Sequence, residues 1–167
     1  MTIFLQSING VAALSYAQRL GILALLFVIL CCGDSKNGSL ENGIRKTYFN
    51  TGSVEKEFCL RNGKMDGWCK LYYLDGKLKG EQFFINGLQQ NKTTFYFPSG
   101  SIKEVQYYQM GYKTGSDTSW NQNGTLALVS TYENGKLNGP QWKYDENGIL
   151  THKALFHADT IVTLETY

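Results

Sequence analysis

The sequence predicts an all-β fold, an elongated antiparallel β-meander of about five hairpin repeats in a single twisted sheet. Two series of glycines support this prediction, because each series recurs every 24 residues. The first series is Gly52, Gly76, Gly100, Gly124 and Gly148, and the second is Gly63, Gly87, Gly111 and Gly135. A chain with 18 glycines, 2 prolines and 14% aromatic residues suits a sheet with many tight turns.

The two glycine series mark two kinds of turn. Asn precedes three of the four glycines in the second series, as in Asn62-Gly63, and both residues of this dipeptide accept positive φ in a two-residue hairpin turn. A small polar residue precedes every glycine of the first series, as in Asp75-Gly76, which fits a type I turn with a glycine bulge. A further column contains Gly43, Gly67, Asn91, Gly115 and Gly139. Asn is the best substitute for a left-handed glycine, so we expect Asn91 to adopt positive φ.

Three columns are apolar in all five repeats. They are Tyr48, Tyr72, Tyr96, Trp120 and Tyr144, then Val54, Leu78, Ile102, Leu126 and Leu150, then Leu60, Phe84, Tyr108, Tyr132 and Phe156. Tyr72 and Leu78 flank a turn symmetrically, so we expect them to form a cross-strand pair. Phe84 has the same parity along its strand as Leu78, which predicts that the third column shares their face.

The opposite face changes along the chain. Its early members are Leu71, Tyr73, Phe95 and Phe97, and the matching later residues are Ser119, Asn121, Lys143 and Asp145. If the four early apolar side chains are exposed, they form a candidate binding face. The alternative is that they pack against the segment after Cys32 or are covered by the twist of the sheet.

The N-terminal segment is predicted to lie outside the repeats. Arg19 precedes about 13 apolar residues, 20–32, which is the length of a signal-peptide core and short of the ~20 that span a bilayer. This run resembles a bacterial lipoprotein signal with Cys32 as the lipidated residue. An uncleaved single-pass anchor and ordinary secretion are the alternatives.

These features divide the chain into four predicted parts. Residues 1–32 are a signal peptide or anchor, residues 33–38 a short linker, residues 39–158 the five repeats and residues 159–167 a C-terminal capping strand. The capping strand either closes the array or offers its open edge to another chain.

The repeat pattern is Asn-Gly-Lys-x-x-Gly, an aromatic residue, x-x-Asp/Asn-Gly-x-Leu, and a further aromatic residue before the next Asn-Gly. It resembles the MORN repeat, and more closely the MORN-variant repeat of bacterial YwqK-family antitoxins. The resemblance covers residues 39 to about 158. It implies a meander of hairpins that binds proteins or, in eukaryotic relatives, phospholipid head groups, and it implies no catalytic residues.

Cys59 and Cys69 form a candidate disulfide. They lie on consecutive predicted strands, equidistant from a connection centred near Lys64, and oxidation is plausible in an exported protein. The alternative is two thiols that serve as small hydrophobic side chains. A shift of one residue in register would place the two cysteines on opposite faces.

The predicted function is non-catalytic. His152 and His157 are far along the array from Cys59 and Cys69, in a spacing that matches no metal motif, and we predict no catalytic residue, metal or cofactor. A net charge of +2 argues against nucleic acid as a partner. We expect a protein-binding or scaffold module at a bacterial cell envelope, held by a lipid or an N-terminal helix, with an unknown protein partner. The alternative is an antitoxin or immunity protein that neutralises a toxin by direct contact.

Overall fold

A computed structural model describes residues 42–167, which form one antiparallel sheet of 12 strands. The strands are β1 (Gly43–Tyr48), β2 (Val54–Arg61), β3 (Lys64–Tyr72), β4 (Leu78–Ile85), β5 (Leu88–Tyr96), β6 (Ile102–Gln109), β7 (Tyr112–Lys113), β8 (Gly115–Trp120), β9 (Leu126–Glu133), β10 (Lys136–Tyr144), β11 (Leu150–His157) and β12 (Thr160–Thr166). They pair in chain order, except that β7 lies off the path and pairs with β6. The predicted all-β meander is confirmed.

We number the repeats in chain order by their hairpins. Repeats 1, 2, 3 and 5 are the hairpins β1–β2, β3–β4, β5–β6 and β10–β11, and repeat 4 comprises β7, β8 and β9. The predicted lipidation at Cys32, the signal or anchor over 1–32 and the linker over 33–38 lie outside the described residues. Within residues 42–167, no helix has the length and apolar character to cross a membrane.

Both predicted turn types are present. In repeat 2 the N–H of Gly76 donates to the carbonyl of Tyr73 over 2.9 Å, Tyr73 N–H donates to Lys77 O over 2.8 Å, and Gly76 has φ of +82°. This is a type I turn closed by a glycine bulge. Between repeats, Asn86 and Gly87 have φ of 50° and 83°, as a two-residue hairpin turn of two left-handed residues requires. Asn91 also adopts positive φ, 62°, which confirms that prediction.

The predicted cross-strand pair is present in every repeat. Tyr72 lies opposite Leu78, and the equivalent pairs are Tyr48 with Val54, Tyr96 with Ile102, Trp120 with Leu126 and Tyr144 with Leu150. We call the face that carries these pairs the first face. It also holds Trp68 and Phe83, whose ring centroids are 5.2 Å apart.

The predicted position of the third apolar column is wrong. A β-bulge follows each hairpin turn, so that Tyr72 opposes Leu78 but Leu71 already opposes Gly80. The extra residue, Lys79, reverses the alternation along β4. Phe84 therefore lies opposite Gly67 on the second face, the face that also carries Cys69 and Leu71. The same shift occurs in all five hairpins.

The core lies mainly along the middle of the second face. Among the described residues, the largest side chains that are fully buried are those of Thr93, Cys69 and Ser130. Thr93 opposes Gln106, Ser130 opposes Gln141, and these side chains form a row across the sheet together with Cys69. The row is partly polar although the sequence predicted only apolar columns at the core. Its polar groups have partners, because Gln141 Nε2 donates to Ser130 Oγ over 2.9 Å.

Candidate binding surface

Adjacent repeats are joined by hydrogen bonds at their connecting turns. Gly87 N–H donates to the carbonyl of Met65 over 2.7 Å, and Asn86 N–H donates to Asp66 Oδ2 over 3.1 Å. Asn42, Gln90 and Asn138 occupy the same position as Asp66 and accept from the equivalent turns. The side chain at this position therefore caps the next turn, a role that sequence analysis missed.

Repeat 4 departs from this arrangement. Thr114 occupies the capping position, and within the described residues its side chain makes no hydrogen bond to the next turn at Asn134. Thr114 N–H instead donates to Tyr107 O over 2.8 Å, at the point where β7 ends and β8 begins. The Asn of the turn before β7 is replaced by Met110, which nevertheless adopts φ of 50°. Repeat 4 therefore has neither the capping side chain nor the turn Asn that repeats 2, 3 and 5 have.

A half-buried ion pair lies on the second face of repeat 4. Lys113 Nζ is 2.7 Å from Asp117 Oδ2 and 4.6 Å from the centroid of the Tyr132 ring. Their side chains are only 20% and 12% exposed, which shields the pair from solvent. Nearby, Tyr108 OH donates to Gln106 Oε1 over 2.9 Å. Lys113 is thus paired with Asp117, and Tyr108 with Gln106.

The electrostatics of the cluster follow from burial and from Asp117. Burial by itself lowers the pKa of Lys113, but the hydrogen bond and charge of Asp117 outweigh it, so the pKa is raised above its usual value. Burial is the main cause that raises the pKa of Tyr108. Both shifts keep these groups protonated at neutral pH, and neither group is poised as a base.

The four residues of the candidate binding face are half-buried rather than exposed. Leu71 and Phe95 flank Gly80 on the second face, and a Cβ added to Gly80 would lie 2.7 Å from Phe95 Cδ1. Tyr73 OH donates to Tyr96 O over 2.6 Å, and Lys103 Nζ lies 5.9 Å from the ring centroid of Phe97. The four side chains therefore form a partly covered patch, because ring packing and lysine side chains take up its surface.

A more exposed apolar surface lies at the connecting turns. We call it the turn ridge, and it comprises Ile85, Leu88, Met110 and Tyr112, with exposed fractions of 45%, 45%, 62% and 61%. The side chains of Leu88 and Tyr112 each lean over the turn of the next repeat. A Cβ built on Gly111 would be 3.4 Å from Leu88 Cδ2, and one built on Gly135 would be 3.3 Å from Tyr112 Cδ1.

The turn ridge was visible in the sequence as a departure from the repeat pattern. Lys64 and Lys136 hold the Lys of Asn-Gly-Lys, whereas Leu88 and Tyr112 replace it in the two intervening turns. Lysine at this position is solvated and apolar residues there remain exposed, so the replacement creates a surface patch. The apolar ridge is thereby bordered by a lysine on either side.

The predicted disulfide between Cys59 and Cys69 is corrected by the register of β2 and β3. Phe58, not Cys59, lies opposite Cys69, so the two cysteines occupy opposite faces. Both are buried thiols, and no disulfide joins them. Burial raises the pKa of the Cys69 thiol, so it behaves as a small hydrophobic side chain.

The two histidines remain apart from the cysteines. His152 Nδ1 lies 2.9 Å from Thr151 Oγ1, and His157 is exposed at the end of β11. Over residues 42–167, no group of three or more His, Cys, Asp or Glu side chains is close enough to hold a metal ion.

Comparison with known families gives a match to the second repeat. The family model described as a MORN repeat variant matches residues 65–86, which include β3 from its second residue, the hairpin turn, β4 and the residue after it. No curated protein shows significant similarity to the chain. The match supports the MORN-type repeat predicted from the sequence, and the four other hairpins reproduce the pairing and bulge of the matched one.

Proposed function

We propose that the chain is a non-catalytic protein-binding or scaffold module at a bacterial cell envelope. The observation that carries this proposal is the turn ridge, an exposed apolar surface that the fold does not need. Residues shared by the repeats form the turns and the cross-strand pairs beside them, whereas Leu88, Met110 and Tyr112 are specific to the middle of the array. MORN-type repeats are commonly binding modules, which agrees with this division.

The composition of the turn ridge favours a protein partner. Met and Tyr are enriched at the cores of protein interfaces, where their large side chains are desolvated on binding. Lys64 and Lys136 would lie at the rim, where charges select the partner and speed association. In this proposal the lipid at Cys32 or an N-terminal helix holds the module at the envelope, where the partner would be met.

Site-specific photo-crosslinking in the native host tests the proposal. A photoreactive residue at position 112 is expected to give a discrete protein adduct. One at Glu146, which is exposed in the hairpin turn between β10 and β11 at the opposite ends of the strands, is expected to give none. The double variant Leu88→Ser with Met110→Ser should abolish the adduct without changing the circular dichroism spectrum. Absence of an adduct at position 112 would contradict the proposal.

The alternative is an antitoxin or immunity protein, which would use the same kind of surface against a toxin. Deletion in the native host separates the two functions. Toxicity that is relieved by deleting a neighbouring gene supports the antitoxin, whereas a deletion strain that grows without toxicity, although the parent chain forms the crosslinked adduct, supports the scaffold.

A further inference from the structure

Within residues 42–167, the outer edge of β12 pairs with no other strand, and it is a surface distinct from the turn ridge. All seven residues of this strand are exposed, including Ile161, Val162 and Leu164 at 54%, 56% and 58%. Proteins protect edge strands with Lys, Pro or inward charges, because an unpaired row of N–H and C=O groups recruits other strands. This strand, Thr160–Thr166, contains neither Lys nor Pro, and its one charged residue, Glu165, is paired with Lys153 of β11.

The direction of the backbone groups follows from one hydrogen bond. Tyr167 N–H donates to Thr151 O over 2.9 Å, so the backbone groups of Tyr167 point at β11. Alternate residues of a strand direct their N–H and C=O groups to opposite edges. The groups of Glu165 therefore also point at β11, and those of Leu164 and Thr166 point outward.

We propose that β12 pairs antiparallel with β12 of a second copy, on a two-fold axis at Leu164. A two-fold axis at a hydrogen-bonded pair requires a central residue whose N–H and C=O both point outward, which Leu164 satisfies. The two Leu164 side chains then meet on the second face and continue the row that Ala154 and Leu164 already form. The inference is independent of the proposed function.

Side-chain charges fit this register. Thr163 faces Glu165 of the second copy on the first face, so no like charges are opposed. Glu165 Oε1 keeps its contact with Lys153 Nζ at 3.8 Å within its own copy. The pairing of β12 with β11 is irregular at Val162. This irregularity lies outside the segment around Leu164 that would form the centre of the contact between the two copies.

Disulfide trapping of the purified full-length chain tests the register. Opposed residues of a hydrogen-bonded antiparallel pair have Cα atoms about 5.5 Å apart, within the range that a disulfide spans. Leu164→Cys is therefore expected to shift under mild oxidation from the one-chain to the two-chain mass, reversibly on reduction. The parent chain, which keeps its native cysteines, measures the background.

Two controls make the test specific. Glu165→Cys alone should remain at the one-chain mass, whereas a mixture of Thr163→Cys and Glu165→Cys chains should crosslink. Equal crosslinking of Leu164→Cys and Glu165→Cys, or no shift with Leu164→Cys, would overturn the proposal.

Dissociation provides an independent measurement. Sedimentation equilibrium in density-matched detergent should report two chains per particle for the parent and one for Leu164→Lys. Leu155→Lys, a change of an exposed leucine on β11, should leave two chains per particle. One chain per particle for the parent would refute the contact with a second copy.

Discussion

Lys113 and Asp117 form an ion pair of 2.7 Å at the positions where the preceding repeat places a hydrogen-bonded amide and hydroxyl. In repeat 3 Gln89 Nε2 donates to Thr93 Oγ1, also over 2.7 Å. The backbone thus holds one geometry, and the side chains decide whether the contact is ionic or neutral. The neutral Gln89–Thr93 pair can therefore serve as the reference for measuring how much the Lys113–Asp117 ion pair contributes to stability.

Asp117→Asn is expected to lower the free energy of unfolding by about 1.5–3 kcal/mol, since it leaves the Lys113 ammonium without its charged partner in a half-buried site. The double variant Lys113→Gln with Asp117→Thr copies the Gln89–Thr93 pair and should recover most of this loss. Urea denaturation of all three chains measures the difference. A double variant no more stable than Asp117→Asn would show that the loss does not come from the unpaired charge.

Stability is expected to fall at alkaline pH. The folded-state pKa values of Lys113 and Tyr108 are both raised, so their contribution is complete below their unfolded values of about 10. It is lost as the pH rises through the folded values. Denaturation at a series of pH values above neutrality measures the decline. Combining Tyr108→Phe with the double variant Lys113→Gln, Asp117→Thr should make the loss of stability with rising pH shallower. An unchanged loss of stability would show that other groups cause it.

Thr114→Asn is expected to stabilise the protein. Asn at this position restores the acceptor that Asp66 and Asn138 provide for the next turn, here at Asn134 N–H. One added hydrogen bond contributes about 0.5–1.5 kcal/mol. Thr114→Val, which matches the shape of Thr without its hydroxyl, serves as the control. Thermal unfolding should rank Asn above Val, and the reverse order would show that this turn has no need of the acceptor.

Gly80→Ala is expected to destabilise by about 1–3 kcal/mol, because overpacking forces the neighbouring ring to move. The added methyl group would lie 2.7 Å from Phe95 Cδ1 and 3.3 Å from the carbonyl of Thr94. A double-mutant cycle with Phe95→Leu measures the coupling by chemical denaturation. The cost of Gly80→Ala should be smaller in the Phe95→Leu background. Equal costs in both backgrounds would place the strain at the backbone of Thr94.

The candidate site was predicted only in part, because exposure depends on what lies beside a residue across the sheet. Leu71 and Phe95 were correctly placed on the face opposite Tyr72, but their packing around Gly80 required the inter-strand register. The turn ridge was missed because Leu88 and Tyr112 were read as members of a repeat rather than as departures from it. The Lys113–Asp117 pair was missed because the sequence analysis followed only the columns that are apolar in every repeat, and neither residue belongs to such a column.

The sequence by itself determined the repeat length, both turn types and the cross-strand pair at each turn. These are local properties, since Gly and Asn accept at little cost the positive φ that most of the turns impose. Asn91 shows how far this local reasoning extends, because its conformation followed from its column alone.

Only the tertiary structure decided which face each later residue occupies. The bulge at Lys79 inserts one residue, and one residue is enough to reverse the alternation for the rest of the strand. Pairing between repeats likewise placed Phe58 rather than Cys59 opposite Cys69. Burial, disulfide geometry and exposed surface all depend on this register, which contacts between distant segments establish and no local pattern specifies.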